Sequence, residues 1–181
     1  WVHQTPAHEP PRRWGSALAY DAARQSVLLY GGYAGGGVDH ADTWEWTGHD
    51  WLSLAASAGP LRTPRLVFDH ARQTMVLTGR GDAGFETWSL RDAGWGPVVG
   101  PSPDLVMHWV AYDELRSVVV VFGWSAAGRE TWEFDGATWH QQSPTESPPR
   151  PALSWPAAMT WDRANQRTML SVNGQTWLYL P

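Results

Sequence analysis

His108 and Asp104 are the side chains of this sequence best suited to acid–base chemistry. An imidazole titrates near neutral pH, and a carboxylate close to it can orient the ring or share its proton. Arg65 and Arg80 carry permanent positive charge, which stabilises an anion that develops nearby. These residues are the candidate catalytic groups of an enzyme of the cyclase, isomerase or lyase type.

Composition excludes several other kinds of chemistry. The chain has no Cys and no Lys, so thiolate catalysis, Cys-ligated metals, Schiff bases and Lys-containing phosphate loops are absent. A net charge of −5 without a basic stripe argues against a nucleic-acid partner. No apolar run reaches 18 residues, so no membrane partner is expected. The His residues lack metal-ligand spacing, and neither a metal nor a cofactor is predicted.

Four similar Trp phrases divide the chain into repeats. Their Trp residues are spaced 44, 44 and 45 positions apart, and a second Trp follows seven residues later in the first three copies. The phrases are Asp42-Thr43-Trp44, Glu86-Thr87-Trp88, Glu130-Thr131-Trp132 and Gln175-Thr176-Trp177. A period in the forties with a recurring Trp is typical of a β-propeller with four-stranded blades.

Each repeat also contains an aromatic residue followed by Asp, beginning with Tyr20-Asp21. The Asp opens a short polar stretch before a β-branched or aliphatic run, a pattern that predicts a hairpin turn between two buried strands. Helical periodicity is absent.

We therefore predict a single all-β domain over residues 1–181, a four-bladed β-propeller of four-stranded antiparallel blades. The blades span roughly residues 10–54, 60–98, 103–142 and 150–181 plus 1–4. Trp1–His3 is expected to pair with the last blade and close the ring. A dimer of half-rings with eight blades is the alternative to a monomer.

The first repeat resembles a bacterial kelch repeat, the blade type also found in galactose oxidase. The resemblance rests on the double Gly31-Gly32 after a strand and on Trp44 in the next strand, and the later repeats keep only parts of it. It implies a propeller fold but no single function, because kelch propellers include enzymes, glycan-binding proteins and adaptors. Copper–radical chemistry is excluded, because it needs a Cys. Asp104 and His108 are similar to two iron ligands of kelch specifier proteins, but Gly100 replaces the first carboxylate.

Four Trp residues do not fit the repeat: Trp14, Trp109, Trp124 and Trp155. Their distances from the hairpin Asp predict that all four lie, partly solvated, at one mouth of the propeller channel. Arg65, Arg80, His108 and Tyr33 are expected at the same mouth. Indole walls with a few polar groups are typical of a small-molecule site.

The favoured function is binding of a small apolar, aromatic or sugar-like ligand that carries an anionic group. The alternatives are an enzyme that uses His108 and Asp104, and a protein-interaction scaffold with a Trp-rich face. The sequence leaves the compartment open. The chain opens on Trp1 rather than Met, which is expected of a processed product.

Overall fold

A computed structural model describes residues 1–92, 94–150 and 157–181. The described residues form strands, turns and loops, without an α-helix. The strands make four successive antiparallel sheets, each with the meander order of a propeller blade. The predicted all-β, four-bladed class is therefore confirmed.

We number the sheets 1 to 4 along the chain. Sheet 1 contains β1 (Ala17–Asp21), β2 (Ser26–Gly35), β3 (Val38–Trp46) and β4 (Trp51–Leu54). Sheet 2 contains β5 (Arg62–Asp69), β6 (Thr74–Gly81), β7 (Gly84–Arg91) and β8 (Gly94–Pro97). Sheet 3 contains β9 (Met107–Asp113), β10 (Val118–Ser125), β11 (Gly128–Phe134) and β12 (Trp139–Gln142). Sheet 4 contains β13 (Ala158–Asp162), β14 (Arg167–Val172) and β15 (Gln175–Tyr179).

The repeated Asp folds the hairpin between the first two strands of each sheet, as predicted. The fully buried Asp21 carboxylate accepts hydrogen bonds from the backbone N–H groups of Ala23 and Arg24 at 3.0 and 3.1 Å. It also accepts one from the Arg24 guanidinium at 2.8 Å. The same backbone pattern recurs at Asp69, Asp113 and Asp162. The Asp thus satisfies backbone donors that the turn leaves unpaired.

The residue two positions before each repeated Trp accepts a hydrogen bond from the indole N–H. The donor–acceptor distances are 2.6 Å for Trp44 to Asp42, 3.0 Å for Trp88 to Glu86 and 2.6 Å for Trp132 to Glu130. In the fourth repeat Trp177 donates to the neutral Gln175 at 3.3 Å. The Trp phrase therefore contains a local hydrogen bond that holds the indole beside its own strand.

Gly79 and Gly123, at equivalent positions of the second and third repeats, occupy sites with no room for a side chain. A Cβ atom on Gly79 would lie 2.8 Å from the Leu61 Cβ, and one on Gly123 would lie 2.5 Å from the Met107 carbonyl oxygen. Both distances are shorter than real Cβ contacts, so these two positions require glycine.

The chain forms two compact units. The first comprises residues 1–68 and 73–98, and the second comprises residues 69–72 and 99–181. The core of the first unit includes Leu28, Tyr30, Leu77 and Trp95. A core cluster of the second unit joins Trp109, Phe122 and Trp124 to Leu170 and Val172.

The predicted pairing of Trp1–His3 with the last blade is wrong. Among the described residues sheet 4 contains three strands, and residues 1–3 belong to no strand. Trp1 is fully exposed and Val2 is 82% exposed. Gln4, Pro6 and Glu9 lie instead along a groove that sheet 1 also lines. The apolar residues of that groove, which include Leu18, Trp46 and Trp51, hold the start of the chain on sheet 1.

Candidate functional site: a pocket between sheets 3 and 4

An apolar pocket of about 290 Å³ lies between sheets 3 and 4, within the second unit. Its walls include Val120 and Phe122 of β10, and Leu170 and Trp177 of sheet 4. The loop after β12 contributes Pro144, Thr145, Glu146 and Pro148. Ligand pockets typically measure roughly 300–1,000 Å³, so this one suits a single planar group or side chain. We call it the open pocket.

Sheets 1 and 2 contain the equivalent site, and there a Trp fills it. Trp95 of β8 is 8% exposed and meets the ring of Tyr30 edge-on, with 5.8 Å between ring centroids. Its indole N–H donates to the Thr43 hydroxyl at 2.9 Å. The two sites lie between sheets that share the same sequence repeat, so their residues can be matched by repeat position. Phe122 corresponds to Tyr30, and Thr131 corresponds to Thr43, in the third repeat.

Two buried Thr hydroxyl groups line the open pocket, and one of them has no hydrogen-bond partner among the described residues. Thr131 is 5% exposed and Thr168 is 2% exposed, and both line the pocket. The Thr168 hydroxyl oxygen is fully buried without a partner. Thr43, by contrast, donates to the Ala56 carbonyl oxygen at 2.6 Å while it accepts from Trp95. Buried polar groups are usually paired, and a hydroxyl group can accept as well as donate, so Thr131 and Thr168 are acceptors that a ligand N–H or O–H can use.

A charged cluster fixes one end of the open pocket. The Tyr179 hydroxyl donates to the Glu133 carboxylate at 2.8 Å, and the Arg116 guanidinium pairs with the same carboxylate. Arg116 also lies over the Tyr179 ring, 5.5 Å from its centroid. Burial and the adjacent Glu133 charge raise the pKa of Tyr179 well above its usual range. The hydrogen bond to Glu133 and the contact with Arg116 hold the Tyr179 ring, which lines the pocket, in place.

Trp14 and Tyr33, two of the predicted site residues, lie side by side in the first unit. Their backbones form an isolated bridge, and their rings meet edge-on with centroids 4.8 Å apart. Trp14 is 60% exposed, and the Tyr33 hydroxyl accepts a hydrogen bond from the Gly37 N–H at 2.9 Å. The pair forms a solvated aromatic surface.

Arg65 is half-buried in β5 and makes no ion pair among the described residues. Its guanidinium donates to the Pro64 carbonyl oxygen at 2.9 Å, and burial lowers the pKa of Arg65. Asp69, the carboxylate nearest in sequence, pairs with Arg72 at 2.9 Å instead. Arg80 is half-buried near the end of β6.

Trp109 and Trp124 are not the solvated indoles that we expected. Each is 8% exposed. Their rings meet edge-on at 5.9 Å, and Trp124 also meets Phe122 at 5.1 Å. Residues of sheet 4 complete this cluster, so the expectation of partial hydration is wrong for both. Trp155 lies outside the described residues.

His108 is fully buried in β9, whereas Asp104 is exposed in the preceding loop. A catalytic acid or base must reach a substrate, and a fully buried imidazole does not favour that role. Among the described residues no group of three or more potential ligands is arranged to hold a metal. Nor do the described residues contain a helix with the length and hydropathy to cross a bilayer.

Sequence reasoning missed the open pocket, although the signal was present. The signal is the second Trp of the first three repeats, at Trp51, Trp95 and Trp139. Trp95 packs against Tyr30 of the neighbouring sheet, and this contact points to the corresponding space between sheets 3 and 4. No family model matches the sequence, and no curated protein matches it either.

Proposed function

We propose that this protein is a binding module that takes a planar aromatic N–H donor, an indole above all, in the open pocket. The observation that carries the proposal is the filled site between sheets 1 and 2, where Trp95 occupies the corresponding space. Phe122 offers an edge-on aromatic contact, and Thr131 offers the hydroxyl acceptor. For the alternative of an enzyme, the described residues show no comparable arrangement of reactive groups. The kelch resemblance belongs to this proposal as well, and Gly79 and Gly123 support it.

Binding should be measured with N-acetyltryptophanamide by calorimetry, because 14 intrinsic Trp residues obscure fluorescence. We expect saturable binding that Thr131→Val weakens roughly fivefold, the effect of one lost hydrogen bond of about 1 kcal/mol. Thr168→Val is the matched control, an equal change in the same pocket, and should leave binding unchanged. Leu170→Trp should abolish binding by filling the pocket.

A ligand without the N–H provides the second control. The 1-methylindole analogue should bind the original chain more weakly than N-acetyltryptophanamide does. It should bind Thr131→Val and the original chain with equal affinity. If N-acetyltryptophanamide fails to bind, or binds Leu170→Trp equally well, the open pocket is not the site.

A second candidate function is anion binding at Arg65 in the first unit. It is favoured by the half-buried guanidinium without a carboxylate within 4 Å among the described residues. Benzoate, a carboxylate on an apolar ring, is a suitable probe. Arg65→Ala should weaken benzoate binding about tenfold and barely change the unfolding midpoint. Arg65→Lys keeps the charge and should bind with intermediate affinity. Unchanged affinity in Arg65→Ala, or loss of binding in Leu170→Trp, would reject this site.

A further inference from the structure

The loop after β12 brings a carboxylate to the entrance of the open pocket. Glu146 lines the pocket and is exposed to solvent. It is the one charged side chain among the described residues that line the pocket. Within the part of the chain that the structure describes, no hydrogen bond or ion pair engages this carboxylate. An unpaired carboxylate at the mouth of an apolar pocket attracts a cation.

The filled site of the first unit shows where Glu146 stands relative to an indole. Glu146 follows Trp139 by seven residues, and Ala58 follows Trp51 by the same number, so the two positions correspond. Ala58 is 5% exposed and belongs to the same core cluster as Trp95. The open pocket therefore has a carboxylate where the filled site packs a small apolar side chain close to its indole.

The loop in the filled site runs beside the backbone that carries the indole. A Cβ atom on Gly94 would lie 3.6 Å from the Ala56 Cβ, and Gly94 directly precedes Trp95. A Trp side chain joins its backbone through C3 of the indole. A substituent on C3 of an indole bound in the same way therefore points toward the loop that contains Glu146.

Backbone hydrogen bonds hold this loop and leave the Glu146 carboxylate available. The Arg129 guanidinium donates to the Ser147 carbonyl oxygen at 3.2 Å. In the filled site the Tyr30 hydroxyl donates to the equivalent carbonyl oxygen, that of Gly59. Arg129 and Glu146, both described, form no ion pair with each other. The loop is thus anchored through its main chain and not through the acidic side chain.

We propose that the open pocket takes a cationic indolyl alkylamine, with the indole in the apolar interior and the ammonium group paired with the Glu146 carboxylate. This inference rests on the proposed function and adds the charge of the ligand to it. The alkyl chain of such an amine starts at C3, on the side of the indole that faces the loop. The ammonium group then donates to an exposed carboxylate that is unpaired among the described residues.

The walls of the pocket suit the same ligand. Trp177 and Tyr179 line it, and their polar atoms are engaged with Gln175 and Glu133 respectively. They offer a ligand aromatic ring surface, which attracts cations as well as apolar groups. The Thr168 hydroxyl is buried and has no partner among the described residues, an independent indication that the interior takes a group with an N–H or O–H.

Three indoles that differ in charge on the same ethyl chain test the proposal by calorimetry. Tryptamine carries an ammonium group, N-acetyltryptamine a neutral amide and indole-3-propionate a carboxylate. We expect tryptamine to bind roughly threefold to fivefold more tightly than N-acetyltryptamine, the usual range for an exposed ion pair, and indole-3-propionate to bind most weakly. Raising the salt concentration to about 0.5 M should remove most of this difference, because salt screens exposed charges.

Variants of Glu146 assign the preference to this residue. Glu146→Gln should bind tryptamine and N-acetyltryptamine with equal affinity, and Glu146→Lys should bind indole-3-propionate more tightly than tryptamine. Glu114→Gln is the matched control, the same change in the same unit at a residue that does not line the pocket, and should behave as the original chain. Because Glu146 is exposed, neither of its substitutions should shift the unfolding midpoint.

The outcomes separate this inference from the proposed function. Equal affinity of the original chain for tryptamine and N-acetyltryptamine, or a preference for tryptamine that survives in Glu146→Gln, would overturn the assignment of a cationic ligand. Binding of the uncharged N-acetyltryptophanamide would in both cases leave the proposed function standing. Failure of all four indoles to bind would reject the proposed function, and the inference with it.

Discussion

Trp124→Ala is expected to lower the free energy of unfolding by about 3–5 kcal/mol, the usual cost of removing a buried aromatic side chain. Trp124 is 8% exposed and touches both Trp109 and Phe122 edge-on. Its removal leaves a cavity in a cluster that β10 shares with β14. Urea denaturation followed by far-UV circular dichroism is the appropriate measurement, because the substitution alters the fluorescence.

Trp14→Ala is the matched control for this prediction. Trp14 is 60% exposed and packs mainly against Tyr33, so its removal should cost about 1 kcal/mol or less. Equal losses in the two variants would mean that the cluster around Trp124 contributes little to stability.

Asp21→Ala is expected to cost roughly 3 kcal/mol, because the carboxylate is fully buried and makes three hydrogen bonds. The substitution leaves two backbone N–H groups of the turn without an acceptor and removes the partner of the Arg24 guanidinium. Thermal unfolding should show a clear fall in the midpoint.

Two variants separate the contributions at this turn. Asp21→Asn keeps an oxygen acceptor for the backbone N–H groups and removes the charge, so its loss should be smaller than that of Asp21→Ala. Asp162→Ala changes the same turn in the fourth repeat, where Asn165 replaces the Arg and the Asp is only half-buried. It should be the mildest of the three, and a loss as large as that of Asp21→Ala would show that burial is not the cause.

The sequence repeat predicted the sheets because the interactions that form each hairpin join residues close together in the sequence. Asp21 closes its own hairpin, and Trp44 donates to Asp42 two residues away. Interactions this close in sequence depend on residue type and spacing alone. The hairpins and strand runs could therefore be read without knowledge of tertiary contacts.

The burial of the additional Trp residues could not be read in the same way. Trp109 and Trp124 were assigned to solvent because they interrupt the repeat, but their burial depends on what the next sheet brings against them. Leu170 and Val172, more than 40 residues away in sequence, provide that surface. A departure from the repeat thus served packing between sheets, and repeat position alone could not distinguish packing from ligand binding.

The prediction for residues 1–3 failed for a related reason. The Trp and the extended pattern are those of an outer strand in the other repeats, but residues 1–3 form no strand, because a sequence pattern does not specify which sheet edge a segment meets. That choice depends on where the following residues pack, and here Pro6 lies on sheet 1.

The correspondence between the Trp95 site and the open pocket has an evolutionary consequence. Selection for a well-packed repeat maintains a site that accommodates an indole in every copy, whether or not any ligand binds there. Where no side chain of the neighbouring sheet fills that site, as in the open pocket among the described residues, its shape and its hydroxyl groups are already set by the packing of the repeat. The chemistry of such a site is therefore older than any ligand that it takes.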